Sequence, residues 1–324
     1  MHLSVEAAII LTVFAAAMWG SWMQVVKHVK DYPITGVVFW LYAFSFILIW
    51  AITLIVAPHL LSESIWTLTL QNIPTILKIM LGGGMMSVGL FISLQIMGKI
   101  GLILSTTVSG GVGVILGLVT SIVEEGVPEG GLFMIILTAL VYILAGFVSS
   151  YASKCRDEDR GIKDAKVAVD GRIVFLMLVC SLLTNGWSIG TATGTARGLA
   201  PVLTCAYMAT GSFLSVLLVC LVFFTYKKMW KKVLCINESK KPIWMSAICA
   251  CCHYGGNLIS IYSMPALTAT VSFLLGRTSN LWTIFWGMYY KEFSGISRRT
   301  KFVLASAIFL FLFGTVLLTI YKFG

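Results

Sequence analysis

Arg277 stands in a run, Ala266–Tyr290, that holds no other charged residue. It lies about 11 residues in, or some 15–17 Å along a helix. A guanidinium there needs a partner, and no Asp or Glu falls near the middle of any predicted helix. An anionic group on a bound solute would serve, and so would backbone carbonyls at a broken helix. Asn280 follows one turn later on the same face. His253 and Asn257 repeat the i, i+4 spacing in a second apolar run, where an imidazole can bind a proton or take an interhelical hydrogen bond. Trp19, Trp22 and Gln24 in one run, and Asn185 and Trp187 in another, pair flat aromatic faces with amides. That combination suits the C–H faces and hydroxyls of sugars, and it suits ordinary packing too. Ser105, Thr106, Thr107 and Ser109 offer further hydroxyls, or bond their own helix backbone.

Catalysis finds less support. No nucleophile–base pair, acid pair or two-His-plus-acid set occurs at useful helical spacing, so the chain reads as a non-enzyme. Cys249, Cys251 and Cys252 beside His253 match no standard zinc spacing. All eight cysteines read as packing residues or free thiols, and no metal or cofactor is expected.

The elements that must position these residues are membrane helices. Of the 324 residues, 58% are hydrophobic and only 11% charged, against about a quarter charged in soluble domains. Ten runs are long enough to span roughly 30 Å of hydrocarbon. They are Val5–Val26, Ile34–Ala57, Ile73–Met97, Leu102–Val123, Leu132–Ser150, Ile173–Gly190, Pro201–Phe224, Ile243–Met264, Ala266–Tyr290 and Phe302–Tyr321. The first run lacks a preceding Lys or Arg and is followed by Lys27 and Lys30, the reverse of a secretory leader. It reads as a retained helix. Trp40, Trp50, Trp66, Trp244, Tyr289 and Tyr290 near helix ends read as interfacial anchors.

The net charge of +10 is a topology signal rather than a nucleic-acid signal. Nineteen of the 23 Lys and Arg fall in the odd-numbered loops, and only Arg197 and Lys322 on the other side. By the positive-inside rule the odd loops are cytoplasmic and both termini extracytoplasmic. The longest connections surround Lys154–Arg172 and Lys227–Lys241.

The halves resemble each other. A shift of 166 lays Trp19-Gly20-Ser21 on Asn185-Gly186-Trp187. A shift of 167 lays Gly89 on Gly256, Met97 on Met264, Ser105 on Ser272 and Glu125 on Glu292. Five helices per half would invert the second repeat, an architecture recurrent in transporters. The expected fold is therefore all-α and integral to the membrane, about ten helices in two inverted five-helix repeats. It forms one transmembrane domain over residues 1–324, with repeat one at about 1–152, a central cytoplasmic loop at about 153–171 and repeat two at about 172–324. Gly186, Gly190, Gly194 and Gly198, and Gly113 and Gly117, read as close-packing faces. Gly82-Gly83-Gly84 reads as a broken or flexible turn.

Three stretches carry a family resemblance: Met18-Trp19-Gly20-Ser21-Trp22 with Lys27-His28-Val29-Lys30; Arg160-Gly161-Ile162-Lys163; and Leu275-Gly276-Arg277-Thr278-Ser279-Asn280-Leu281-Trp282 with Lys291-Glu292. The layout and these motifs resemble the drug/metabolite transporter superfamily, and within it the rhamnose–proton symporter and glucose/ribose porter branch. The resemblance implies a secondary carrier of a sugar or sugar-like solute in the cell membrane, with protons as coupling ion. With no mid-helix carboxylate available, the residues themselves leave His253 or the end-of-helix Glu6, Glu125 or Glu292 to take the proton. The competing expectation is an exporter of amphipathic compounds. Organic cations would want a cavity acid that is missing, and Arg277 counts against them. The partners expected are a small solute, protons and lipid, with a homodimer left open.

Overall fold

The computed structural model describes residues 3–29, 31–100, 102–127, 132–162 and 171–323, and side chains throughout these except at 97–110 and 323. It is 86% helical, and no strand occurs among the described residues. Seven helices there are long and apolar enough to cross a membrane. The chain is thus an all-α protein of membrane-embedded type.

Helix α1 (Val5–Ser21) continues as a 3₁₀ turn over Trp22–His28; α2 is Ile34–Leu60, α3 Ile65–Gln71, α4 Ile73–Ile100, α5 Leu102–Glu125 and α6 Phe133–Asp159. The second part holds α7 (Gly171–Thr184), α8 (Gly186–Ala196), α9 (Pro201–Tyr226), α10 (Trp230–Val233), α11 (Lys241–Leu267), α12 (Ala269–Leu275), α13 (Ser279–Tyr289) and α14 (Arg298–Phe323). Local chemistry sets the ends. Ser4 Oγ accepts from Ala7 N at α1, and Pro201 opens α9 where its missing N–H is no loss. Two helices start on acids from elsewhere in the chain. Glu125 Oε2 accepts from Ala269 N at α12, and Asp159 Oδ2 accepts from Ser297 N just before α14. Both carboxylates sit where unpaired N–H groups and the helix dipole favour them.

The long apolar runs are interrupted where the sequence places its polar candidates. α7 and α8 part at Asn185. The expected ninth helix is two pieces, α12 and α13, joined by a 3₁₀ turn at Gly276–Thr278 that carries Arg277. The residue between α11 and α12 is Thr268, at φ 80° and ψ 153°.

Side chains such as Ile55, Val123, Phe133, Val222 and Phe302 are exposed in a way that only lipid would solvate. Inside, two apolar cores form. One joins α2, α4, α9 and α11; the other joins α6, α12, α13 and α14 with Val114 of α5, and Trp187 packs against both. α4 lies along α9 and α8, α1 along α11 and α13, α2 along α9 and α11, and α6 along α14.

Three expectations change. Gly82–Gly84 lies inside a continuous α4, and its glycines serve close packing: a Cβ on Gly82 would stand 2.6 Å from Gly186 O. Gly198 does not extend the face of Gly186, Gly190 and Gly194; at φ 65° it follows the end of α8 in the left-handed conformation that glycine adopts freely. Trp40 and Trp50 are not free anchors, because Trp40 Nε1 donates to Val233 O (3.0 Å) and Trp50 Nε1 to Thr210 Oγ1 (2.8 Å). Trp66, Trp244 and Tyr289 are exposed as expected.

Candidate functional site

Two cavities lie between the cores and meet at Trp19 and Arg277, which line both. The outer one has a volume of about 710 Å³ and reaches the helix ends that carry Lys27, Arg156, Arg160 and Glu292. The inner chamber, about 320 Å³, is bounded by α1, the α7–α8 break, α11 and the Gly276–Thr278 turn. The nine solute-binding candidates from the sequence each line one or both, whereas the proton candidates Glu6 and Glu125 line neither. Trp22, Asn185, Trp187, His253 and Asn257 face the inner chamber, Gln24 and Asn280 the outer cavity. The side chains of Ser105, Thr106, Thr107 and Ser109 lie outside those described.

Trp19 is the link between α1 and α11. Its Nε1 donates to Asn257 Oδ1 at 2.9 Å and to His253 O at 3.1 Å. Its ring meets Trp187 edge-on, with centroids 5.6 Å apart. Trp187 in turn lies against Phe273 at 6.1 Å, and Arg277 Cζ sits 4.3 Å from the Phe273 centroid. The arginine is thus held by a cation–π contact. Among the described residues it has no hydrogen-bond or ion-pair partner.

Glycines make room for this arrangement. A Cβ on Gly117 would lie 2.0 Å from Phe273 Cζ, and one on Gly113 would lie 3.8 Å from a terminal nitrogen of Arg277. The Gly113–Gly117 spacing therefore seats the ring and its cation on α5.

The inner chamber gathers buried polar atoms without partners. Among the described residues, Asn185 Oδ1, Trp187 Nε1, His253 Nδ1 and Asn257 Nδ2 all lack one. Asn185 is fixed from behind, since its Nδ2 donates to Thr120 Oγ1 at 2.8 Å. His253 is enclosed by the rings of Trp22 (5.4 Å), Tyr42 (5.9 Å) and Tyr254 (5.6 Å). Buried polar groups are costly unless paired. Their residues line one space, and rotation of these side chains towards it would let a polar ligand satisfy them.

The two ends of the bundle differ. At the end that the outer cavity reaches, Glu292 pairs with Lys27, and with Arg156 at 3.3 Å. At the far end Lys78 Nζ meets Glu124 Oε1 at 2.5 Å, Thr193 Oγ1 donates to Glu124 Oε2, and Glu125 takes the first N–H of α12. Those bonds draw together α4, α5, α8 and α12. Among the described residues no group of three His, Cys, Asp or Glu could hold a metal; in the Cys249–Cys252 stretch Cys249 is buried and Cys251 exposed.

Sequence reasoning missed Phe273, Thr120 and Arg156. Phe273 was legible as the residue four before Arg277. Thr120 and Arg156 gave no signal, because their roles depend on helix packing.

No family model matches the chain, and no curated protein matches it. Sixteen chains of solved structures do. One, described as "Crystal structure of protein", is similar with a TM-score of 0.62 at 13% identity, over 97% of each chain. That likeness speaks for the fold alone.

Proposed function

We propose that this chain is a secondary transporter that moves a small polar metabolite, a sugar or sugar-like compound, across the cell membrane by alternating access. The observation that carries the reading is the inner chamber. It lies near the middle of the helices, at two helix breaks, and is lined by buried polar groups without partners. Broken helices at a midplane site are what carriers use to present backbone and side-chain polarity to a solute.

Ten crossings in two inverted repeats belong to the same proposal, with α5, α11 and the α12–α13 pair added to the seven apolar helices. The packing supports it. If α1 corresponds to α7–α8, α2 to α9 and α4 to α11, the pairs α4–α9 and α11–α2 are counterparts. So are α1–α11 and α7–α8 against α4. Gly89 of α4 abuts Leu183 and Thr184, and its counterpart Gly256 of α11 abuts Trp19 and Ala15. With the basic loops cytoplasmic, both termini are extracytoplasmic and the wide cavity opens inwards, the far end being closed by Glu124, Glu125 and Lys78. A proton would couple through His253, among the described residues the titratable group besides Arg277 on the inner chamber. An exporter of organic cations is disfavoured by Arg277 at the junction of both cavities.

Counterflow in proteoliposomes tests the reading. Vesicles loaded with a mixture of sugars and sugar acids should accumulate a labelled member of that mixture transiently, and a pH gradient should change its steady level. Absence of exchange for every compound that binds the purified protein would refute a carrier.

A further inference from the structure

We infer that the cargo is a polyhydroxylated carboxylate of monosaccharide size, its carboxylate on Arg277 and its hydroxyls on the unpartnered groups of the inner chamber. This deepens the transporter reading and rests on it for the transport arm alone.

The charge comes from Arg277. Its guanidinium has no carboxylate within ion-pair distance among the described residues, and it lies on the Phe273 ring with its nitrogens next to Gly113. A planar fork of N–H donors matches a carboxylate in bidentate fashion. Arg277 is, among the described residues, the one permanently charged side chain on the inner chamber, which suits one negative charge better than the dianion of a phosphate ester. The route agrees in sign. Lys27, Arg156, Arg160 and Arg277 line the outer cavity against Asp157 and Glu292, so the approach is net positive and favours anions.

The hydroxyls come from the rest of the lining. Trp187 Nε1 and Asn257 Nδ2 can only donate, Asn185 Oδ1 can only accept, and His253 Nδ1 can do either by tautomer. Asn185, His253 and Asn257 are each at least nine-tenths buried. A mixture of lone donors and lone acceptors suits hydroxyls, since each hydroxyl does both. A simple fatty or aromatic acid would satisfy Arg277 and leave these four groups unpaired.

Matched pairs of probes test this: glucuronate against glucose, and gluconate against glucitol, with glucose 6-phosphate and benzoate alongside. Binding is read from the thermal shift of the purified full chain, and transport from counterflow. The expected result is that glucuronate or gluconate binds at least about tenfold more tightly than its neutral partner, in line with a charge-assisted hydrogen-bonded pair, and more tightly than the phosphate or benzoate. Arg277→Gln should abolish that preference, and Arg277→Lys should restore part of it. Wild type alone already decides the matter should Arg277→Gln not fold. Equal binding of acid and neutral partner, preference for the phosphate or benzoate, or binding of none of these probes overturns the inference. Tight binding of the acid without any counterflow upholds the site and overturns the transporter reading instead.

Discussion

Replacing Gly117 with alanine puts a Cβ 2.0 Å from Phe273 Cζ and 2.5 Å from both Cε atoms. Carbon atoms rest at about 3.5–4.0 Å, so the ring must withdraw by about 1.5 Å. It has little room, with Trp187 on one side (centroids 6.1 Å) and the guanidinium of Arg277 on another (4.3 Å). Forced overpacking of this kind costs about 1–3 kcal/mol, and disturbing the cation–π contact adds up to about 2 kcal/mol. Phe273→Leu deletes the three atoms that clash. Gly117→Ala should therefore destabilise wild type by about 1–3 kcal/mol and the Phe273→Leu background by much less, a coupling of at least about 1 kcal/mol. The assay is equilibrium unfolding of the four detergent-solubilised proteins, with Gly146→Ala, where no atom of the described residues lies within 4 Å, as the neutral comparison. An equal loss in both backgrounds would show that Gly117 does not seat the ring.

Other substitutions probe other joints. Trp19→Phe removes both hydrogen bonds to α11 and leaves Asn257 Oδ1 unpaired; a loss of about 1–3 kcal/mol is expected in unfolding, together with weaker binding of whatever solute stabilises wild type. Gly83→Ala drives a Cβ to 2.2 Å from Met208 O, which only separation of α4 from α9 relieves, so folded yield should drop sharply in size-exclusion profiles. Ser212→Ala breaks a buried chain in which Ser212 Oγ donates to Gly83 O (2.8 Å) and meets Tyr254 OH (2.7 Å); about 1 kcal/mol is expected, and a neutral result would show that Tyr254 finds another partner. Glu292→Gln loses pairs with Lys27 and Arg156 that are partly exposed, so its effect on stability should stay below about 1 kcal/mol and vanish at high salt.

Much of the architecture was legible because membrane helices announce themselves by length and apolarity, and because the lipid leaves charges few places to go. Arg277, His253 and Asn257 stood out for the same reason: a polar residue in an apolar run has to be explained. What was not legible depends on packing between helices. Gly82–Gly84 looks like a breaker in one dimension and is a packing face in three. Trp40 and Trp50 look like anchors in the sequence, yet both lie inside α2 and their N–H groups find acceptors across the bundle. The breaks at Asn185 and Arg277 leave no strong mark, since neither contains proline; each occurs where the chamber supplies an environment for backbone polarity that lipid would not.

Thr268 joins α11, most of whose buried apolar residues lie in one core, to α12, most of whose lie in the other, while its own neighbours Leu267 and Ala269 cross over between them. It does so in a single residue, at φ 80° and ψ 153°, a conformation that a β-branched side chain adopts only at a cost of about 1–3 kcal/mol. Two hydrogen bonds hold it there: Thr268 Oγ1 accepts from Val271 N (3.4 Å), and Glu125 Oε2 accepts from Ala269 N (2.8 Å). The joint is therefore a loaded spring with a latch. Releasing Glu125 from α12 would remove one of the two side-chain holds on that strained peptide unit. A glycine at 268 would slacken the spring and keep the latch, leaving the molecule more content to stay as it is.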